Sequence, residues 1–377
     1  MYSKIAILSS LVLAMFLLSC KKEDDSHIPQ PGKGVFIDHG FIPVAVEINP
    51  SADIQEAIYS TNKVFVATSD GIWKNDLTTK AWSRSGLEGK RITFIYKHPT
   101  IDKKFFAGIS PDSNEKSLYV STDEGQTWTA VESPVYSSLE STYEIYVCMT
   151  IHPAKPNIVF ANLMGGTTIA VSKDGGNTWH RNNYAEDSNF SYPCPIAVIP
   201  GNTGKIYQGA EAPLDDAWLA TYDINTTDPV MLSNFQKVID MDVWENRRPN
   251  ELATFPYTPN TLYVGQEGAL SKVTGNQSVF IYKSDEKSTF PYSYIEGIWV
   301  DPANTKHILF GGAVNGEQTT LSLYETQDEG KTVAHISDKL GMTEPQVRDI
   351  IATDSYPAIL IKDDILKKAR LVLYKNQ

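Results

Sequence analysis

The chain has 377 residues, 41% of them hydrophobic, with a formal net charge of −12. That is enough apolar material for a sizeable core, and a single all-β domain routinely takes this many residues. The acidic balance excludes the basic stripe that nucleic acid demands, and the polybasic patch that would draw a chain onto an anionic bilayer.

Residues 1–20 read MYSKIAILSSLVLAMFLLSC. Lys4 supplies a short positive start. The apolar run that follows has the length of a signal peptide and is short for a membrane span. The ending Leu17-Leu18-Ser19-Cys20 resembles the lipobox of bacterial lipoproteins. The resemblance implies a signal peptide at 1–19, cleavage before Cys20, and lipid on that cysteine. Lys21-Lys22-Glu23-Asp24-Asp25 resembles the surface-export signal of Bacteroidetes lipoproteins. It implies an outer-membrane anchor facing the exterior, with the periplasmic face as the alternative. Residues 20–33, polar with Pro29 and Pro31, read as a flexible tether. A single domain is expected over 34–377.

One pattern then recurs five times: an apolar strand, a turn with proline, and a second apolar strand. Its prolines are Pro99, Pro153, Pro200, Pro256 and Pro302, about 50 residues apart. Short alternating strands at that period are what four-stranded blades of a β-propeller produce. Two further units, 54–90 and 346–377, bring the count to seven with 91–133, 146–181, 194–235, 250–283 and 295–337. The last unit holds only three strands, and residues 34–42 supply the fourth. Pairing both chain ends in this way removes an exposed sheet edge. The expected fold is all-β, a seven-bladed propeller closed by its terminal strands, with no helix beyond the cleaved segment and a short one at 364–368.

A second motif falls later in the units. It reads Ser121-Thr-Asp123-Glu-Gly125-Gln-Thr-Trp128, Ser172-Lys-Asp174-Gly-Gly176-Asn-Thr-Trp179, and a worn Thr326-Gln-Asp328-Glu-Gly330-Lys-Thr-Val333. These resemble Asp boxes, or BNR repeats, of the propeller superfamily that includes sialidases and photosystem-assembly factors. The boxes are expected to be structural: Asp accepts turn amides, Gly takes a left-handed conformation, and Trp packs between sheets. Cys148 and Cys194 open neighbouring inner strands, which splay apart. That favours two buried thiols over a bridge.

Candidate ligand contacts fall in the connections leading into inner strands and between second and third strands. They are Tyr143, Tyr184, Tyr192, Asp215, Asp216, Trp244, Arg247, Arg248, Tyr292 and Tyr294. Ala210–Trp218 and Ser284–Glu296 read as long loops among them. Aromatic plates beside carboxylates and arginines suit sugar rings and their hydroxyls. A sialidase-like catalytic set can also be drawn, with Arg91, Arg248 and Arg348 as a carboxylate clamp and Tyr294 with Glu296 as nucleophile and base. Against it, the family's Arg-Ile-Pro signature reads Arg91-Ile92-Thr93 here. No metal motif and no phosphate loop is present, so neither metal nor cofactor is expected. His98 and His152 precede repeat prolines and read as turn residues; His39, His307 and His335 have no identifiable partner.

The reading is a lipid-anchored propeller, a monomer or member of a surface complex, that binds a glycan or protein ligand at its loop-rich face. A glycan is favoured over protein. The alternatives are a glycosidase or polysaccharide lyase at the same face, and a protein-assembly scaffold.

Overall fold

The computed structural model describes residues 32–43, 57–110, 116–131, 146–163, 169–182, 195–212, 216–227, 230–238, 248–284, 292–315, 323–342, 345–363 and 368–376. Residues 20–31 of the tether, Cys20 among them, lie outside these residues, as does Cys194. Cys148 is buried. After β1 (Val35–Phe41) the chain forms β2 (Ala57–Ser60), β3 (Lys63–Thr68), β4 (Gly71–Asp76) and β5 (Trp82–Arg84) as blade 1. Blade 2 is β6 (Ile92–Lys97), β7 (Phe105–Ile109), β8 (Leu118–Ser121) and β9 (Thr129–Ala130). Blade 3 is β10 (Tyr146–Ile151), β11 (Val159–Leu163), β12 (Ile169–Ser172) and β13 (His180–Asn182). Blade 4 is β14 (Ile196–Ile199), β15 (Asn202–Ala212), β16 (Asp216–Asn225) and β17 (Met231–Lys237). Blade 5 is β18 (Pro249–Ala253), β19 (Thr261–Gln266), β20 (Ala269–Thr274) and β21 (Gln277–Lys283). Blade 6 is β22 (Tyr292–Val300), β23 (Ile308–Asn315), β24 (Leu323–Thr326) and β25 (Ala334–His335). Blade 7 is β26 (Pro345–Ile351), β27 (Ala358–Asp363) and β28 (Lys368–Lys375), with β1 as its outer strand.

Every sheet is an antiparallel meander, so the seven inner strands all begin on one face of the disc. The proline turns and the box turns lie on the other. Second strands are sandwiched between neighbouring blades. This is why Val64-Phe65-Val66, Phe105-Phe106-Ala107 and Val159-Phe160-Ala161 are continuous apolar runs with no exposed surface.

The box turns join blades. Ser121 Oγ accepts the Gly125 N–H at 2.8 Å and donates to Asp123 Oδ1 at 2.8 Å. Asp123 also accepts from the amides of Gln126 and Thr127 at 3.0 and 2.8 Å, and from Thr127 Oγ1 at 2.6 Å. The Asp174 and Asp328 turns repeat the pattern. Each turn leans on the blade before it. Trp128 Nε1 donates to Ser85 O at 2.9 Å, Lys104 Nζ to Gly175 O at 2.7 Å, and Lys63 and Lys272 pair with Glu124 and Glu329. His98 and His152 do related work at the proline turns, each accepting two turn amides on Nδ1.

The Thr127 hydroxyl and amide hold the Asp123 carboxyl down at about 2, and Asp174 and Asp328 are also lowered because their turn donors outweigh burial. A depressed carboxylate stabilises the fold above its unfolded value, and the contribution disappears as pH falls through the folded value. The melting temperature is therefore expected to drop between about pH 4 and 2. Asp123→Asn should flatten part of that slope; a slope unchanged in the variant would exclude the turn as its source.

Ring closure follows the expected pairing, with Val35 opposite Lys375 and Asp38 opposite Val372. Asp38 and Arg370 form a bidentate pair at 2.9 and 2.6 Å. β1 also touches blade 1, where His39 Nδ1 meets Asn75 Oδ1 at 3.0 Å and Trp82 Nε1 donates to His39 O at 3.1 Å.

Two local expectations are corrected. Residues 364–367 of the expected short helix lie outside the described residues, Lys368 opens β28, and a 3₁₀ turn forms at Ser337–Leu340. Ala210–Trp218 is mostly strand, because β15 and β16 stay paired out to Ala212 and Asp216 while Ala210 and Trp218 join an apolar cluster. Tyr292, Tyr294 and Glu296 lie on β22 rather than in a loop, with Tyr292 and Tyr294 paired to β23 and Glu296 unopposed at a bulge.

Candidate functional site

The inner strands surround a channel of about 360 Å³ to which all seven blades contribute. Near the start of five inner strands the register slips by one residue. The unopposed residues are Thr93, Val147, Asn250, Glu296 and Arg348. A bulge re-aims its side chain out of the sheet alternation. Thr93 Oγ1 accordingly reaches the next blade, donating to Tyr146 O at 2.8 Å. Glu296 and Arg348, from adjacent blades, meet in an ion pair at 2.9 Å on the channel wall, with side chains 8% and 2% exposed.

Asn250 holds the same bulge position one blade earlier. It is 1% exposed, and neither of its amide atoms has a partner among the described residues. Beside these lie Glu251, which lines the channel, and Asp349, which accepts the Ala57 N–H at 3.0 Å. Arg248, 9% exposed, stands over the Tyr294 ring at 5.9 Å. Deeper in the channel, burial pushes the Tyr96 phenol up to about 12, so it is a neutral hydrogen-bonding group next to Lys97.

The structure thus brings Arg248 to Tyr294 and Arg348 to Glu296. The two arginines serve separate partners, and Arg91 is exposed just before β6 on blade 2. Asp216 and Tyr292 open their strands, with only their backbones described. Tyr143, Tyr184, Tyr192, Asp215, Trp244 and Arg247 lie outside the described residues. Sequence reasoning missed Asn250, Glu251 and Asp349. Their signal was a polar pair interrupting an otherwise apolar inner strand, as in Asn250-Glu251 and Arg348-Asp349. Among the described residues no three of His, Cys, Asp and Glu converge as a metal cluster would.

No family model and no curated protein matches the sequence. Solved structures do match in shape. A chain of a mitotic checkpoint complex aligns with TM-score 0.57 and 12% identity, over 94% of this chain and 98% of that one. YCF48 bound to D1 peptide aligns with TM-score 0.54 and 11% identity, over 90% and 94%. The extracellular domain of the one component system BT4673 from B. thetaiotaomicron gives TM-score 0.55 and 12% identity over 88% of this chain, which spans 40% of that one. At these identities the likeness concerns the seven-bladed fold.

Proposed function

We propose that this protein is a lipid-anchored propeller that binds a glycan at the face where its inner strands begin. The observation that carries the reading is the polar arc of blades 5 to 7: Arg248 on Tyr294, the unpartnered Asn250 amide, and the buried Glu296–Arg348 pair at the channel wall. Buried charge and an unsatisfied amide cost stability, and such costs collect where a ligand is recognised. An amide, a carboxylate and a guanidinium match sugar hydroxyls, which both donate and accept. The tether reading fits the same orientation. β1 starts beside the end of β28, on the turn face, so an anchor on Cys20 would leave the binding face pointing away from the membrane. A glycan-active enzyme would draw on the same residues.

The test is an affinity-gel screen of residues 21–377 against glycans, with product detection, alongside membrane fractionation of the full chain and its Cys20→Ser variant. Retention without products is expected, as is release of the variant to the soluble fraction. New reducing ends or unsaturated uronates would replace binding by catalysis. Silence on every glycan would remove the glycan reading in favour of a protein scaffold.

A further inference from the structure

Far from the channel mouth, blade 6 holds a chain of buried ionisable groups. His307 is 1% exposed, with Nδ1 3.0 Å from Asp301 Oδ2 and Nε2 3.0 Å from Glu325 Oε1. An ionised carboxylate only accepts, so a ring that satisfies both must donate from both nitrogens and carry a positive charge. Glu325 has no exposed surface and accepts three more donors: Gln327 Nε2 at 2.8 Å, the Tyr374 hydroxyl at 2.9 Å, and the backbone N–H of Gly32. The Tyr374 oxygen in turn accepts the Gly34 N–H at 3.1 Å. A Cβ on Gly34 would lie 2.1 Å from the Tyr374 ring, so glycine is what lets the segment lie this close. The backbone donors at Gly32 and Gly34, just ahead of β1, therefore end on this chain of groups.

We propose that Asp301, His307 and Glu325 form a proton-controlled clasp that fastens the N-terminal strand into the ring, closed while His307 is charged and loosened when it is neutral. Other groups that face it, among the described residues, come from neighbouring elements. Tyr257, after blade 5's inner strand, faces Asp301; Trp299 of β22 meets the His307 ring edge-on at 5.4 Å; and Lys339 of the 3₁₀ turn lies beside Gly32. The two phenols, Tyr257 and Tyr374, are raised by burial and stay neutral through the range that matters. Burial pushes His307 down, but its bonds to Glu325 and Asp301 outweigh burial and hold it above the ordinary 6.5. Burial likewise pushes Glu325 up, and His307, the Gly32 N–H and Tyr374 outweigh it and hold it low. The histidine contribution is complete below the unfolded value and is lost as pH rises through the folded one. The glutamate contribution is lost only as pH falls through its lowered value. The clasp is therefore closed below the raised His307 value and opens as pH rises through it, where a neutral ring can donate to one carboxylate only.

The test is hydrogen exchange of the full chain from pH 6 to 9.5, corrected for intrinsic rates. Protection of residues 32–41 is expected to fall at least tenfold across this range while β27 stays protected. His307→Gln, neutral throughout, should show the weak protection at every pH. If that variant misfolds, Asp301→Asn, which keeps the ring bonded but removes one charge, should move the transition to lower pH. Protection of 32–41 that is flat with pH, or a transition that persists unmoved in both variants, would overturn the clasp.

Discussion

Arg348→Met is expected to lower stability by about 3–5 kcal/mol in urea unfolding, the loss typical when one member of a buried ion pair is removed. The guanidinium is 2% exposed and its partner Glu296 is 8% exposed, so water cannot take its place cheaply. The cost belongs to burying a carboxylate that has lost this cation rather than to the attraction alone. Arg348→Met combined with Glu296→Leu is therefore expected to recover most of the stability, since an apolar pair of similar volume fits a buried site about as well. Glycan retention provides the second readout. If the pair serves the fold alone, the double variant binds as the natural protein does. If the pair is part of the recognition arc with Asn250 and Arg248, the recovered fold still loses at least tenfold in affinity. Strict additivity of the two substitutions in stability would mean that the two side chains are not energetically coupled, and would remove the premise.

How far this was legible in advance differs by element. The blade count could be read because each blade repeats a proline turn between two apolar strands, and because three box turns mark third-to-fourth strand corners. Closure could be read because the last unit lacks a strand that residues 34–42 could supply. The hairpin at Ala210–Trp218 could not be read: Pro213 and the acidic pair 215–216 signal a turn, but how far pairing continues depends on what Ala210 and Trp218 pack against. The bulges were invisible for a similar reason. A slip of one residue is set by the partner strand, and it decides whether Glu296 and Arg348 face each other or different layers. The His307 chain is harder still, since it joins residues 301, 307, 325, 374 and 32, whose proximity exists only once the ring has closed. What could be read was whatever repeats; the site and the clasp are where blades depart from the repeat.

The box turns carry the other large effect, and Gly176 is where it concentrates. Its φ of +90° is a conformation that a side chain enters at a cost of about 1–2 kcal/mol. A Cβ there would also stand 2.5 Å from Cε1 of Phe106, a fully buried ring of the preceding blade. Overpacking of that kind adds about 1–3 kcal/mol. Gly176→Ala is thus expected to cost about 3 kcal/mol by these two routes together. The steric part can be separated from the backbone part. Phe106→Leu removes the ring edge at a cost of about 1–1.5 kcal/mol of its own. In combination with Gly176→Ala the loss should fall short of the sum by about 1–2 kcal/mol, because the two residues share one contact. Gly204, which has no neighbour within 4 Å of a built Cβ, is the control; Gly204→Ala should be neutral or slightly stabilising. Additive losses at 176 and 106 would mean that the turn does not rest on the neighbouring blade. Blades would then cohere through their apolar faces alone, and the Lys104–Gly175, Lys63–Glu124 and Trp128–Ser85 contacts would be surface detail rather than the joints that set one blade against the next.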